Sequence, residues 1–114
     1  MRKDGKWKLV KRKSLSDGHA LQTRRNGPAL SFALDGTDEV RIFAGRCRNC
    51  GKLEVQINGH RRKLIDLGQT KDKSSSIVAF DAGWNKRGSG TLRLVSRGGG
   101  EVRIDGIAIW RTSD

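Results

Sequence analysis

The sequence predicts an all-β domain built as an antiparallel β-sandwich, and three observations lead to this prediction. Short segments alternate apolar and polar residues, which is the pattern of a strand with one buried face and one exposed face. Turns of Gly, Asn, Asp and Ser separate these segments, and the chain holds 15 glycines but 1 proline. No segment has helical periodicity over the length that a stable helix needs. Because the connections are short, antiparallel pairing is expected.

A β-hairpin in the middle of the chain is the clearest predicted element. Leu53, Val55 and Ile57 alternate with polar residues, so they form the buried face of a strand. The dipeptide Asn58-Gly59 follows, and both residues tolerate the positive φ angles of a tight turn. Residues 61–67 then form the returning strand.

Seven further strands complete the prediction, at residues 7–12, 19–23, 29–34, 39–44, 76–81, 91–95 and 101–110. Asp35, Gly36 and Thr37 are expected to turn the chain between two of them. Gly106 lies inside the last strand and suggests a bulge or a close backbone approach. The sequence therefore predicts nine short strands.

The length and charge of the chain limit what it can be. The 114 residues fit a single domain, residues 1–114, with a core from about 7 to 110. The net charge of +12 attracts polyanions such as nucleic acid, anionic lipid surfaces or acidic polysaccharides, although a need for solubility explains it equally well. No apolar run approaches the ~20 residues of a membrane span. The first residues are charged and form no apolar signal segment, which says little about localisation if the chain is an excised domain.

Four stretches of the chain together resemble a known family of modules. They read "GPALSFALDGT", "EVRIF", "GKLEVQINGHRRKLIDL" and "GSGTLRLVSRGGGEVRIDGIAIW". The sequence resembles the galactose-binding-like (jelly-roll) β-sandwich modules of bacterial surface and secreted enzymes. Residues 55–59 match that family's aliphatic-x-aliphatic-Asp-Gly turn, with Asn58 in place of Asp. Residues 88–94 match its G-x-H-T-L-x-L strand with Gly90 in place of His, and residues 102–107 match its last strand.

The resemblance implies a function as well as a fold. It implies a non-catalytic module that binds carbohydrate through loops at one rim or through an exposed sheet face. It also implies an extracellular or cell-surface location within a larger secreted protein. Sandwiches of this family often carry a structural calcium ion, but no acidic loop in this sequence favours one.

The two cysteines form a Cys-x-x-Cys pair, Cys47 and Cys50. Such a pair can be half of a zinc site, a redox pair, a local disulfide or two free thiols. A structural zinc needs four ligands, and only His19 and His60 are left to add to the pair. A redox pair normally lies at a helix N-terminus, and no helix is predicted here. We therefore favour a local disulfide in an oxidising compartment.

Enzyme chemistry has little support in the sequence. Neither histidine lies in a nucleophile or metal motif, and the aspartates fall at strand ends and turns, where carboxylates commonly cap backbone amides. No spacing of carboxylates favours general acid–base catalysis. We expect a protein that is not an enzyme and has no cofactor.

Two sets of residues are predicted to bind ligand at loops. Trp84 lies in a Gly- and Asn-rich segment beside Lys86 and Arg87, where a Trp can stack on a sugar ring or a base, or can cover the core. Trp7 and Trp110 lie in terminal strands and are expected to be structural. The second set is predicted to converge at one rim and consists of Arg46, Arg48, His60, Arg61 and Arg62.

A basic sheet face is the third candidate. Arg41, Lys52, Arg93 and Arg103 alternate with predicted core residues, so they are expected on the exposed faces of neighbouring strands. Arginine matches carboxylate, sulfate and phosphate groups through paired hydrogen bonds. A solvated face with surface ion pairs explains the same pattern.

Three functions remain open from the sequence. The favoured one is a non-catalytic carbohydrate-binding module for an acidic or neutral polysaccharide. The second is a basic nucleic-acid-binding domain, although Tyr is absent and Phe numbers 3, which is few for a stacking platform. The third is a structural or protein-interaction sandwich within a larger enzyme.

Overall fold

The protein is described by a computed structural model covering residues 2–11, 19–69 and 75–111. The strands are β1 (Arg2–Asp4), β2 (Lys8–Lys11), β3 (His19–Thr23), β4 (Asn26–Arg46), β5 (Lys52–Ile57), β6 (His60–Asp66), β7 (Ser75–Arg97) and β8 (Val102–Arg111). The predicted all-β class is confirmed. None of these described segments contains a helix long and apolar enough to cross a membrane.

The two long strands, β4 and β7, generate the two layers of the sandwich. The first part of β4 pairs with the last part of β7, as Leu30 does with Leu94, and the last part of β4 pairs with the first part of β7, as Ile42 does with Phe80. Register shifts on either side of Thr37 mark the bend between the two parts. Thr37 still pairs with Gly88 within this bend, so the layers share their two longest strands.

Each layer is an antiparallel sheet of five strand segments. Sheet one has the order β1, first part of β4, last part of β7, β5, β6. Sheet two has the order first part of β7, last part of β4, β8, β3, β2. The antiparallel β-sandwich predicted from the sequence is therefore present.

The sandwich has two distinct ends. At the turn end lie the bend in β4 and the β5–β6 turn, where Asn58 N donates to Thr91 O at 2.9 Å. Asn58 (φ 53°) and Gly59 (φ 79°) both have the positive φ of a type I′ turn, as the hairpin prediction required. At the disulfide end lie Cys47 and the start of β5, where Gly51 N donates to Glu101 O at 2.8 Å.

The core lies between the inner faces of the two sheets. The side chains that alternate inward along the strands are fully buried, and they include Leu30, Val40, Ile42, Leu53, Val55, Leu92, Leu94 and Val102. Burying each of these stabilises the fold by about 1.5–3 kcal/mol relative to exposure. Burial of this aliphatic set holds the two sheets together.

The prediction of nine separate strands differs from the eight that the described residues form. The segments predicted at 29–34 and 39–44 are the two parts of β4, and those at 76–81 and 91–95 are the two parts of β7. The chain bends at these places but keeps its ladder pairing. The irregularity suggested by Gly106 is confirmed, since Phe43 pairs with Gly106 and Ala44 with Ile104, which leaves Asp105 as an extra residue.

Candidate functional site

The residues predicted to share one basic face lie in three different places. Lys52 and Arg93 are on the outer side of sheet one, where Lys52 pairs with Asp66 and Arg93 with Gln56. Arg41 is on the outer side of sheet two, and Arg103 is buried. The prediction of a single basic surface is therefore wrong.

Arg103 is buried because it has an internal partner and a space to occupy. Its residue is 4% exposed, and its Nε donates to Asp105 Oδ1 at 2.6 Å while Nη2 donates to Ser75 O at 3.3 Å. Gly45 provides the space for the guanidinium, because a Cβ at that position would lie 2.6 Å from Arg103 Nε. Val102 and Ile104 face the core, as their alternation predicted. Arg103 was expected to be exposed on the opposite side of β8, but it forms a buried ion pair with Asp105.

The five residues predicted to converge at one rim are also separated. Arg46 and Arg48 lie beside the disulfide, whereas His60 follows the turn at the far end of β5. The six residues of β5 span about 20 Å. Arg61 pairs with Gln56 on the outer side of sheet one, and Arg62 is exposed on β6. Convergence at one rim is wrong.

Trp84, Lys86 and Arg87 belong to β7 near the turn end. Their backbone runs between Gly83, which pairs with Glu39, and Gly88, which pairs with Thr37. Their side chains lie outside the part of the molecule that the structure describes. Their contacts with ligand remain a prediction.

The predicted disulfide is confirmed as a bond between Cys47 and Cys50. The loop that it closes is tied to the rest of the fold by backbone hydrogen bonds. Cys47 N donates to Leu67 O at 3.2 Å, and Glu101 N donates to Asn49 O at 3.1 Å. The disulfide loop therefore links the end of β6 to the start of β8.

A calcium ion of the kind that the resemblance implies does not fit the described side chains. Calcium takes six to eight oxygen ligands. Among the residues that the structure describes, one group could contribute three side-chain ligands, and it consists of Cys47, Cys50 and Glu101. Only one of these is a carboxylate, and both sulfurs belong to the disulfide.

Glu54 is the centre of an ion-pair network on the outer side of sheet one. It is 2% exposed, and it lies 2.6 Å from Arg61 Nη2 and 3.0 Å from Arg97 Nη2. Gln56 donates a further hydrogen bond. Hydrogen bonds from Arg97, Gln56 and Arg61 lower the pKa of Glu54 to about 2, against the opposing effect of burial. The arginines here hold a structural carboxylate in place.

The outer side of sheet two has a different character, because an aromatic ring is exposed on it. Trp110 is 44% exposed, and the Arg41 guanidinium lies over the ring at 5.3 Å from its centroid. Arg41 Nη2 also reaches Glu39 Oε1 and Asp81 Oδ2, each at 3.3 Å. These contacts hold both Arg41 and the indole on the surface.

The pairing register extends this surface across three strands. Glu39 pairs with Trp110, Arg41 with Ala108 and Asp81, and Phe43 with Gly106 and Val78, so all their side chains leave the sheet on the same side. Val78 is 51% exposed. We call this surface the Trp110 face, and its members are Glu39, Arg41, Phe43, Val78, Asp81, Ala108 and Trp110.

The Trp110 face has the groups needed by a ligand that is polar but has one apolar side. The indole and Val78 offer apolar contact, while Arg41, Glu39 and Asp81 offer hydrogen-bond donors and acceptors. The sequence analysis assigned Trp110 a structural role and did not place it on this exposed surface. The sequence pattern of Ile107 and Ile109 could have predicted this exposure, because inward side chains at those positions place the side chain of Trp110 outward.

The chain matches no protein-family model and no curated protein. Solved structures do match it. A xanthan lyase from Paenibacillus superposes with a TM-score of 0.68 at 20% identity over 97% of this chain, which spans 12% of that protein's chain. The domain thus corresponds to a small part of that enzyme.

Two isolated modules match over nearly their whole length. The CsCBM6-3 module of Clostridium stercorarium, solved with cellobiose, has a TM-score of 0.60 at 18% identity, with 98% of this chain and 88% of that one covered. The CBM36-1 domain of a multidomain xylanase from the hindgut metagenome of Trinervitermes trinervoides has a TM-score of 0.62 at 16% identity, with 100% and 93% covered. The chain therefore shares the antiparallel β-sandwich fold of these two modules, which is the fold that its sequence resemblance implied.

Proposed function

We propose that this chain is a non-catalytic carbohydrate-binding module that binds a polysaccharide through the Trp110 face. The observation that carries the proposal is the exposed Trp110 ring, held by Arg41 on an open sheet surface. The fold supports it, since one module of similar structure was solved with cellobiose and another belongs to a xylanase. Either an acidic or a neutral polysaccharide suits this role.

The chemistry of the face suits a sugar chain. The C–H groups of a pyranose ring pack against an aromatic face, and the hydroxyl groups then point sideways to polar neighbours. Glu39 and Asp81 would accept hydrogen bonds from these hydroxyls, and Arg41 would donate them. Because the face is a sheet surface, a long chain can cross it and leave at both sides.

Further contacts at the ends of the sandwich are part of the proposal. Trp84, Lys86 and Arg87 would form a second contact at the turn end, together with His60. Arg46 and Arg48 would make a separate contact at the disulfide end, and Arg61 and Arg62 would contribute from β6. In this proposal the chain positions its ligand for a catalytic domain elsewhere in a larger protein.

The test is calorimetric titration of the folded protein with cello-, xylo- and galacto-oligosaccharides and with their acidic counterparts. Loss of a central Trp from a binding surface costs about 2 kcal/mol, so we expect Trp110→Ala to weaken the binding of the neutral oligosaccharides roughly 30-fold. Leu64→Ala is the matched control, since Leu64 is 42% exposed on the outer side of sheet one and should change affinity less than twofold. No reducing sugar should be released during the titrations.

Two outcomes would count against the proposal. If the folded protein binds no glycan of the panel, the function is wrong. If Trp84→Ala abolishes binding while Trp110→Ala leaves it unchanged, the site lies at the turn end and not on the Trp110 face.

A further inference from the structure

A second surface of the molecule has the size and charge of a ligand site. It is a cleft of about 450 Å³ between the β1–β2 connection and the end of β3. This volume falls within the range of about 300–1,000 Å³ that is usual for small-ligand sites. The residues that line it are Lys6, Trp7, Lys8, Gln22, Thr23, Arg24 and Arg25.

The cleft is strongly positive, and its described lining residues include no acid. Four of its lining residues are cations, Lys6, Lys8, Arg24 and Arg25, and all four are exposed. None of the four forms an ion pair with any residue that the structure describes. Asp4, the acidic residue nearest to Lys6 in sequence, reaches Arg93 at 3.6 Å.

The cations of the cleft differ from five arginines elsewhere in the described structure that form ion pairs with carboxylates. These five are Arg41, Arg61, Arg93, Arg97 and Arg103. Cations that converge without an internal partner repel one another, and a bound anion relieves that repulsion. The cleft therefore favours an anionic ligand.

Trp7 gives the cleft a fixed aromatic wall. Its Nε1 donates to Ala29 O at 3.2 Å, which anchors the partly buried ring. Gln22 and Thr23 add neutral hydrogen-bonding groups beside the cations. An anion alone would need only the cations, whereas a sugar ring also uses an aromatic wall and neutral polar groups.

We infer that this cleft binds an acidic sugar unit, one that carries a carboxylate or a sulfate group. The inference rests on the proposed carbohydrate-binding function, but its site is separate from the Trp110 face. Thr23 pairs with Val102 near the disulfide end, whereas Trp110 pairs with Glu39 near the turn end and on an outer face. The two sites therefore have different residues and lie at different places on the sandwich.

The test uses three probes, a galacturonate hexamer for carboxylate, a heparin hexasaccharide for sulfate and a single-stranded DNA of equal charge. Each is titrated into the whole chain at about 150 mM salt. The variant Lys6→Glu/Arg24→Glu reverses the charge at two exposed positions that lie outside the strands. We expect its affinity for the acidic sugar to fall tenfold or more. Lys6→Gln/Arg24→Gln removes the charge without reversal and should cause a smaller loss.

Lys63→Glu is the matched control, because Lys63 is exposed on β6, far along the sheet order from the cleft. It should change the affinity less than twofold. Equal losses in Lys63→Glu and Lys6→Glu/Arg24→Glu, equal affinity for the DNA, or no binding of either acidic sugar would overturn the inference. Trp110→Ala distinguishes the two sites, because it should lower the affinity for neutral oligosaccharides and leave the galacturonate hexamer bound in the cleft.

Discussion

Arg41 and Trp110 hold each other on the outer side of sheet two, with the guanidinium 5.3 Å from the centroid of the indole ring. The same guanidinium reaches Glu39 and Asp81, so its position is set from three directions. An exposed aromatic ring that is held before ligand arrives loses little side-chain freedom on binding. This relationship is the basis of the proposed glycan site.

Arg41→Ala should weaken both glycan binding and the fold. An exposed cation–π contact contributes about 0.5–1 kcal/mol and exposed ion pairs contribute roughly 0–1 kcal/mol, so the free energy of unfolding should fall by about 1 kcal/mol. Glycan affinity should fall about fivefold or more, because the variant loses both the contact that positions the Trp110 ring and a hydrogen-bond donor. Calorimetry and thermal unfolding measure the two effects. Arg41→Lys keeps the charge but not the planar group, and full affinity in that variant would argue against stacking as the cause.

Glu54→Gln should destabilise the protein through the network on sheet one. The carboxylate is buried, but its arginine partners are partly exposed, so we expect a loss of about 1–2 kcal/mol in the free energy of unfolding at pH 7. Urea denaturation measures this loss. Asp66→Asn is the control, since Asp66 is an exposed carboxylate on the neighbouring strand and its change should cost about 0.5 kcal/mol or less.

The contribution of Glu54 should also depend on pH in a defined window. Its pKa in the folded state is about 2 against a reference value of 4.5, so the folded state favours the charged form. The stabilisation is therefore complete above pH 4.5 and is lost as the pH falls from 4.5 towards 2. The difference in unfolding free energy between wild type and Glu54→Gln should shrink over that interval. A difference that stays constant down to pH 2 would contradict the assignment.

Arg103→Met should be among the most damaging single changes. The change leaves the buried charge of Asp105 without its partner, which typically costs about 3–5 kcal/mol. Replacing both residues, as Arg103→Met/Asp105→Leu, should recover most of the loss, because no unpaired buried charge remains. Denaturant titration of the three proteins measures the effect. A double variant as unstable as the single one would mean that Arg103 acts mainly through packing.

Gly45→Ala tests the same site from the neighbouring strand. The added methyl group would lie 2.6 Å from Arg103 Nε, so we expect it to displace the guanidinium and weaken the ion pair. In the Arg103→Met/Asp105→Leu background, the cost of Gly45→Ala should be smaller. Equal costs in the two backgrounds would show that the methyl group does not act through Arg103.

Reduction of the Cys47–Cys50 disulfide should lower stability modestly. A loop this short contributes about 2 kcal/mol by restricting the unfolded chain. The melting temperature should fall by several degrees in a reducing agent. The Cys47→Ser/Cys50→Ser variant should melt near the reduced wild type and should not respond to the reducing agent. A wild type that does not respond would indicate that the backbone bonds around Cys47 and Asn49 suffice to hold the loop.

The sequence predicted the fold where local pattern and turn chemistry agree. Asn58 and Gly59 require a tight turn, and the alternation of Leu53, Val55 and Ile57 places the buried side of the hairpin correctly. It did not predict that β4 and β7 each serve both sheets. That feature depends on ladder pairing across the bend near Thr37, which no local pattern encodes.

The site was harder to predict because alternation gives the side of a strand but not the sheet to which it belongs. Arg41 and Arg93 both alternate outward, yet they belong to different sheets. Arg103 alternates outward too, but the partner Asp105 and the space at Gly45 bury it. Those contacts arise only from tertiary pairing, and so does the position of Arg41 over Trp110.

Binding of the ligand on Trp110 can be observed through the indole N–H signals of the chain's 3 tryptophans. The three signals are assigned by Trp→Phe substitution. They are then followed by NMR while a neutral oligosaccharide that binds the protein is titrated in. We expect a large shift of the Trp110 signal and no shift of the Trp7 signal, because the Trp7 indole already donates to Ala29 O. A shift confined to Trp84, or no shift at saturation, would contradict it.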